Sequence, residues 1–296
     1  MKKKIKNILI KINILEKIKY LLYLLKKIKV ILTSDKKYFE KIYENKFQNK
    51  LNLVNPKTFN EKVIKRILFD KNLKYTQLTD KYLVRDYVKE KIGEKHLIKL
   101  YGIYKNVDEI EYENFPKEFV LKCNHDSGSV FICKDKEEFD LKRVKQELKF
   151  YLKRNFYYVT REWHYKNIKP LIICEEKLKD ITDYKFHCFN GKVNHVEVIF
   201  NRFNDKRINE YDGNGNLLLY EVSGCSNIEE KFELPKNFTD MKRIAEKLSE
   251  EFDYCRIDLY NNNGEIKFGE ITFTPASGLD ELPEELDLYL GSLWKE

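Results

Sequence analysis

The chain has 296 residues, of which 42% are hydrophobic and 14% aromatic, enough to bury a substantial core in one large or two smaller domains. Its net charge of +8 is concentrated at the N-terminus, because residues 1–37 carry twelve lysines against Glu16 and Asp35, which leaves the remainder at about −2. A nucleic-acid-binding domain needs a basic patch on the fold itself, so this distribution argues against nucleic acid as a partner.

The first predicted element is a basic helix within an arm that covers residues 1–50. Ile or Leu recurs at steps of three and four from residue 5 to residue 32, as on a helix. The longest apolar run, residues 20–25, is too short to span a bilayer, and no signal-peptide pattern follows the first lysines. Two interpretations of residues 1–32 stay open: the helix packs on the body or a partner, or it lies on an anionic membrane surface.

Residues 51–115 are predicted to be mostly helical, with Thr58 as an N-cap before Glu61. From residue 116 onward, short apolar strands alternate with helices, which predicts an α+β fold with antiparallel sheets. The predicted strands cover 118–123, 171–176, 184–189, 193–200, 216–222, 255–260 and 265–273. The predicted helices cover 137–154 and 239–252, and hairpin turns are indicated at 190–191 and 212–215.

The most informative motif lies in the last two strands, RIDLY (256–260) and GEITFTP (269–275). Polar and apolar residues alternate there, so each strand turns one face to a core and the other to a polar site. A four-residue loop would put Asp258 and Glu270 on opposite faces. We predict instead a three-residue loop, 262–264, which places Glu270 opposite Arg256 and diagonal to Asp258.

Two carboxylates on one polar face suit Mg²⁺ shared with a nucleotide phosphate, because this ion takes few protein oxygens besides phosphate and water. The alternative is a solvent-facing hairpin with a surface ion pair.

Two further stretches indicate a nucleotide site. In FVLKCNHDSGSV (119–130), Lys122 precedes a small polar turn, which suits backbone amides folded over phosphates with a lysine nearby, or an ordinary hairpin turn. In IICEEK (172–177), a buried strand runs out into Glu175 and Glu176 before Asp183. This suits a strand edge that meets adenine and a later acid that binds ribose, or only a strand end with solvated charges.

In this order, the three stretches resemble the ATP-grasp superfamily, and most closely the TupA-like ATP-grasp family of bacterial surface-polysaccharide gene clusters. The resemblance is carried further by TFNEK (58–62), TDKYLVRDYV (79–88), IKLYGIY (98–104) and above all GEITFTPASG (269–278). It implies an ATP-grasp domain over residues 116–296, whose two α+β subdomains, about 116–176 and 177–296, clasp ATP and Mg²⁺.

The resemblance also implies a role for each matching residue. Lys122 and the loop residues Ser127, Gly128 and Ser129 would contact phosphates, Glu175 or Glu176 the adenine, Asp183 the ribose, and Arg256 the transferred phosphoryl group, with Asp258 and Glu270 as magnesium ligands. Thr272 stands where many relatives carry Asn, and it offers the metal one hydroxyl oxygen. Lys185 and Arg202 are basic residues that would meet phosphate or the substrate carboxylate, or lie on the surface.

His125, His187 and His195 are candidates for the cleft, although a structurally satisfied histidine is the commoner outcome. REWHY (161–165) is interpreted as part of an acceptor pocket or as packing. None of the six cysteines forms a CxxC pair, which predicts reduced thiols in a cytoplasmic protein and argues against zinc.

The resemblance implies an ATP-dependent ligase that phosphorylates a carboxylate and lets an amine attack the acyl phosphate. The expected substrates are a glycan or amino-acid carboxylate and an amine, joined on a cell-surface polysaccharide such as a capsule or on its lipid-linked precursor. Two alternatives are a kinase on the same fold and a membrane-associated nucleotide-binding module without turnover.

Overall fold

The computed structural model describes residues 2–200, 206–220 and 232–295, with side chains from residue 17 onward. The helices are α1 (Lys2–Leu32), α2 (Asp35–Phe47), α3 (Phe59–Phe69), α4 (Leu73–Thr79), α5 (Val84–Ile92), α6 (Leu141–Lys153), α7 (Tyr157–Thr160), α8 (Phe238–Ser249) and α9 (Glu284–Leu293). The strands are β1 (Leu100–Tyr104), β2 (Phe119–Cys123), β3 (Val130–Cys133), β4 (Ile172–Glu175), β5 (Asp183–Phe189), β6 (Lys192–Phe200), β7 (Arg207–Asp212), β8 (Leu217–Leu218), β9 (Tyr254–Asn262) and β10 (Glu265–Thr272). None of the helices in these ranges is both long enough and apolar enough to cross a membrane.

The strands form two antiparallel sheets, which confirms the predicted α+β class. The small sheet has the order β1–β4–β2–β3, and the large sheet has the order β10–β9–β5–β6–β7–β8. Strand β1 lies in the stretch that was predicted to be mostly helical, and it pairs with β4 about seventy residues later. A five-residue strand interrupted by Gly102 gives little local signal, and the small sheet therefore draws on residues before 116.

Each sheet buries one face under a helix. Helix α8 repeats apolar residues at helical spacing, and Met241, Ala245 and Leu248 are fully buried in the core cluster of the large sheet. Helix α6 covers the small sheet with Val144 and Leu148. Complete burial of a leucine or methionine contributes about 1.5–3 kcal/mol. The opposite face of the large sheet carries mostly polar residues, and at one end of it Phe189 and Tyr254 pack against α3 and α9.

The β9–β10 hairpin differs from the three-residue loop that we predicted. Asn263 and Gly264 form a two-residue turn with φ angles of 55° and 91°, so Asn262 pairs with Glu265. A bulge near Gly269 then shifts the register, and Glu270 lies directly opposite Asp258. A Cβ at residue 269 would lie 2.9 Å from the Asp258 carbonyl oxygen, which explains the glycine. The loop prediction was wrong, but both carboxylates share one face.

Other local predictions are confirmed. Asn190 and Gly191 form a two-residue turn between β5 and β6, with φ angles of 50° and 72°. Thr58 caps α3 in a capping box with Glu61. Within residues 216–220, the described part of the predicted strand 216–222, only Leu217–Leu218 pairs, as β8, and β7 was not predicted. Three features named from the sequence, Arg202, Cys225 and residues 221–222, lie outside the described ranges.

Candidate functional site

Polar side chains from five neighbouring strands form two rows on one face of the large sheet, which we call the polar face. The residues of the first row, each opposite the next, are Glu270, Asp258, Lys185, Glu197 and Glu210. The residues of the second row are Thr272, Arg256, His187, His195 and Asp212. Because side chains alternate along a strand, the apolar residues between them point to the core under α8.

Arg256 is the centre of this face. Its Nε and Nη2 each donate to one carboxylate oxygen of Asp258 at 2.7 Å. Nη2 also donates to Thr272 Oγ1 at 3.3 Å and lies 3.5 Å from Glu270 Oε1. Thr272 Oγ1 in turn donates to Glu270 Oε1 at 3.2 Å. The predicted metal residues and the predicted phosphoryl-stabilising arginine therefore form one contact network.

The carboxyl groups of Glu270 and Asp258 have pKa values shifted in opposite directions. Burial opposes ionisation of Glu270, but Lys81, Arg256 and Lys185 outweigh it and hold the pKa of its carboxyl at about 2. Burial raises the pKa of Asp258, and Arg256 and Lys185 oppose that rise. The Glu270 side chain is 41% exposed, so an ionised carboxylate stands at the open side of the polar face.

Lys81 joins the large sheet to the small one, and the sequence analysis did not assign it a role. Its Nζ donates to the carbonyl of Asp126 at 3.0 Å and lies 3.7 Å from Glu270 Oε2. Asp80 fixes the turn that presents it, because Asp80 Oδ1 accepts from the amides of Tyr82 and Leu83. Lys81 and Arg85 are two basic residues four apart around the start of α5, in the run TDKYLVRDYV, but this spacing does not report the contact of Lys81 with Glu270.

The second of those basic residues, Arg85, lies over Lys122 and Glu175. Glu175 is buried, and its carboxylate lies 2.5 Å from Lys122 Nζ and 3.4 Å from Arg85 Nη1. Arg85 also donates to the carbonyl of Ile98 at 2.9 Å, which links it to the chain just before β1. These residues line a small cleft together with Leu97, Phe268 and Gly269. Lys122 and Glu175 thus face the space between the two sheets.

The segment that joins β2 to β3, residues 124–129, will be called the Ser-Gly turn. Ser129 is buried, and its hydroxyl accepts from the amide of Cys123 and donates to Asp126. This hydroxyl is therefore committed to the turn itself. Ser127 and Gly128 are exposed, and Gly128 has a left-handed φ of 94°. The turn therefore has an anchored base and an exposed tip.

The other predicted ligands occupy three different positions. Glu176 donates its amide to the carbonyl of Lys99 at 2.9 Å, across from β1. Asp183 is buried at the start of β5, opposite Tyr260. Lys185 lies 3.1 Å from Glu197 and is opposite Asp258, so it belongs to the polar face.

The histidines have structural partners. His125 Nε2 lies 3.1 Å from the carbonyls of Tyr151 and Arg154, and burial lowers its pKa. His187 Nδ1 is 3.0 Å from the hydroxyl of Tyr254, and burial followed by His195 and Arg256 holds its pKa well below the usual range. Burial thus favours the neutral imidazole at both residues, and Nδ1 of His125 is buried without a hydrogen-bond partner among the described residues.

The loop that follows β10 is held from two sides. Asn60, buried in α3, donates to the carbonyl of Asp280 and accepts from its amide, each at 3.0 Å. Glu162 accepts from the hydroxyls of Thr274 at 2.9 Å and Ser277 at 3.1 Å. Burial raises the pKa of Glu162 to about 7, although those hydroxyls oppose the rise. Residues 58–62 (TFNEK) and 161–165 (REWHY) therefore hold the loop that follows GEIT of β10 in place.

Comparison with solved structures finds distant likenesses. A D-alanine–D-alanine ligase from Bacillus anthracis is 20% identical over 68% of this chain and 58% of its own, with a TM-score of 0.40. The ATP-grasp ligase PsnB, complexed with a minimal precursor, is 8% identical over 74% and 60%, with a TM-score of 0.43. The chain thus spans about six tenths of the length of these structures, and likenesses this distant carry no inference about the reaction.

No curated protein matches the sequence. The family model described as TupA-like ATPgrasp matches residues 61–295, which includes both sheets and the loop after β10. The chain belongs to the TupA-like ATP-grasp family and has the ATP-grasp fold.

Proposed function

We propose that the protein is an ATP-dependent carboxylate–amine ligase that works through an acyl phosphate. The observation that carries this proposal is the direct opposition of Asp258 and Glu270 on the polar face, with Arg256 in contact with both. Lys81 and Lys122 add positive charge where the two sheets approach each other. Carboxylates beside clustered cations suit a nucleotide whose phosphates arrive with a metal ion.

The donor set of the polar face fits Mg²⁺. Asp258 and Glu270 offer carboxylate oxygens and Thr272 offers a hydroxyl, and this ion prefers such hard oxygen ligands. We propose Asp258 and Glu270 as its protein ligands, with Thr272 as a third. When bound, Mg²⁺ offsets part of the charge of the triphosphate.

The remaining residues of the site have separate roles in the proposal. Lys122 and Lys81 attract the phosphates as point charges, and Glu175 fixes Lys122 and Arg85 at the nucleotide end of the cleft. Asp183 accepts from the ribose hydroxyls, and Glu176 takes the adenine edge. The exposed Ser127 and Gly128 place their backbone over the phosphates. Arg256 stabilises the transferred phosphoryl group.

In the proposed reaction, a carboxylate oxygen attacks the terminal phosphorus of ATP and ADP leaves. The amine nitrogen then attacks the acyl carbon, phosphate leaves, and the nitrogen loses a proton. A free carboxylate is a poor electrophile, so the phosphoryl group supplies the leaving group that an amide bond requires. Water competes with the amine for the acyl phosphate, and the approach of the two sheets limits its access.

The polar face extends beyond the residues that this proposal gives to ATP. Past Lys185 it continues to Glu197 and Glu210, both buried or nearly so. Acidic side chains at that end suit an amine that arrives as ammonium, and Lys185 suits the carboxylate substrate. We propose a glycan or amino-acid carboxylate as the acid, and a cell-surface polysaccharide or its lipid-linked precursor as the product.

The test is release of ADP and phosphate with pairs of acids and amines. ADP release that requires both substrates supports the ligase, and Lys122→Met should lower the rate about 100-fold. The exposed Lys134→Met, one residue after the neighbouring strand β3, is the control and should leave the rate unchanged. A stable phosphorylated acid whose formation ignores the amine would show a kinase instead. Nucleotide binding without ADP release would show a non-catalytic module.

A further inference from the structure

Residues 17–32 of helix α1, the part whose side chains the structure describes, pack against the body on one side. Tyr23 is buried, and its hydroxyl accepts from the amide of Asn155 at 2.9 Å. Lys19 pairs with Glu147 at 2.8 Å, and Lys27 lies 4.9 Å above the ring of Tyr158. Val30, two turns after Tyr23, is the other buried apolar residue. These contacts fix which side of the helix faces the protein.

The opposite side of α1 presents an apolar stripe to solvent. Its members recur at helical spacing and are between 47% and 80% exposed; they are Ile18, Leu21, Leu22, Leu25, Ile28 and Leu32. Because successive residues turn by about 100°, this stripe lies across the helix from Tyr23 and Val30. The regular sequence spacing of this stripe is therefore not explained by packing within the chain.

The charge beside the stripe has one sign. Residues 17–32 contain five lysines and no acidic residue. Lys17, Lys26 and Lys29 are exposed and border or interrupt the apolar stripe. An apolar stripe edged by lysines has the composition of a helix that lies in the interface of a bilayer with anionic headgroups.

We infer that the exposed stripe of α1 docks on an anionic phospholipid surface, with the helix parallel to the membrane plane. A second copy of the chain is a poorer occupant, because pairing two such helices brings their lysines together. Anionic lipid supplies both an apolar layer for the leucines and negative charge for the lysines. The helix is bound to the body through Asn155, whose neighbour Arg154 pairs with Asp126 in the Ser-Gly turn at 2.9 Å. Docking therefore holds the small sheet and its turn near the lipid surface.

The inference is tested by sedimentation of the full-length protein with vesicles. We expect binding to vesicles of equal parts phosphatidylcholine and phosphatidylglycerol, and little to phosphatidylcholine alone. Leu22→Asn with Leu25→Asn should weaken binding at least about 10-fold. Leu73→Asn, at an equally exposed leucine on α4, is the matched control and should bind as wild type does.

The electrostatic part has its own variants. Lys17→Gln with Lys29→Gln should weaken binding to the anionic vesicles about 25-fold, at about fivefold for each lysine near the surface. Lys192→Gln, an exposed lysine on β6, should not change it. High salt should weaken wild-type binding, since screening shortens the range of the attraction.

Several outcomes would overturn the inference. These are no binding to either vesicle, equal binding to both, or binding that survives the leucine substitutions. Self-association that is lost in Leu22→Asn with Leu25→Asn would assign the stripe to a second copy instead. Glu270→Gln should bind vesicles as wild type does, so failure of the proposed reaction and failure of lipid docking are distinguishable.

Discussion

The polar face and the Ser-Gly turn lie on opposite sides of the candidate site and differ in how much of their polar chemistry is already paired. On the polar face, Arg256 occupies both oxygens of Asp258 and also contacts Thr272. On the turn, Ser129 and Asp126 are buried and bonded to each other, but Ser127 and Gly128 are exposed. The polar face is thus preorganised, whereas the tip of the Ser-Gly turn is open to a ligand. Substitutions on the polar face should therefore affect stability, and those at the tip should affect ligand binding.

Arg256→Met should have the largest effect on stability. It leaves the buried carboxylate of Asp258 without its bidentate partner, and breaking a buried pair in this way costs about 3–5 kcal/mol in the free energy of unfolding. Urea unfolding measures it. Arg243→Met removes an exposed ion pair with Asp240 and should cost less than about 1 kcal/mol. Equal losses in the two variants would mean that the polar face is not specially preorganised.

Asn60→Ala tests the support behind the polar face. The change removes three side-chain hydrogen bonds, two with the backbone of Asp280 and one with Asp287, in a buried site. We expect a loss of about 2–4 kcal/mol in the free energy of unfolding, because buried groups are left without partners. Asn114→Ala, at an exposed asparagine that bonds Glu111, should cost well under half of that. A loss no larger than in this control would contradict a supporting role for TFNEK.

Glu162→Gln should change how stability depends on pH. Burial raises the pKa of Glu162 from its ordinary value of 4.5 to about 7, so the folded state binds its proton more tightly than the unfolded state does. Its contribution to stability is therefore present below about pH 4.5 and is lost as the pH rises through 7. Between pH 5 and pH 8, the free energy of unfolding should fall by about 1–3 kcal/mol less in the variant than in wild type. A variant with the same pH slope as wild type would show that Glu162 is ionised in the fold.

Ser127→Pro should have the smallest effect on stability and a clear effect on the ligand. The residue is exposed at the tip of the Ser-Gly turn, so we expect a change within about 0.5 kcal/mol in unfolding. Proline removes the backbone N–H, so nucleotide affinity should fall about 10-fold if that amide contacts phosphate. Calorimetric titration with an ATP analogue and Mg²⁺ measures it, and Ser127→Ala, which keeps the amide, is the control. Equal nucleotide affinities in the two variants would show that the Ser127 amide does not contact the nucleotide.

Local patterns predicted most of the strands because the alternation of polar and apolar residues reports burial on a sheet. The shared face of Asp258 and Glu270 was predicted from that alternation combined with a three-residue loop, and their direct opposition was not predicted. The direct opposition depends on a bulge at Gly269 and a two-residue turn at Asn263–Gly264. Each shifts the register of the two strands, and the alternation of polar and apolar residues does not predict either shift. Asn263–Gly264 is itself a strong signal for a two-residue turn, but we predicted a three-residue loop around it.

Lys81 and Asn60 were missed for a different reason. Each acts on residues far along the chain: Lys81 reaches Asp126 and Glu270, and Asn60 reaches Asp280 and Asp287. No local spacing reports such contacts, since they depend on how the helices pack against the two sheets. Lys122 and Glu175 were each predicted as site residues, but their contact was not predicted. It results from the pairing of β2 with β4.

The polar face as a site for Mg²⁺ and ATP is the central claim, and thermal stability tests it most directly. A ligand that binds only the folded state raises the melting temperature by mass action. We predict a rise for wild type with an ATP analogue that depends on Mg²⁺, the same rise for Glu265→Gln at an exposed position of the same strand, and no such rise for Glu270→Gln. A rise of equal size in Glu270→Gln, or none in wild type, would contradict the account.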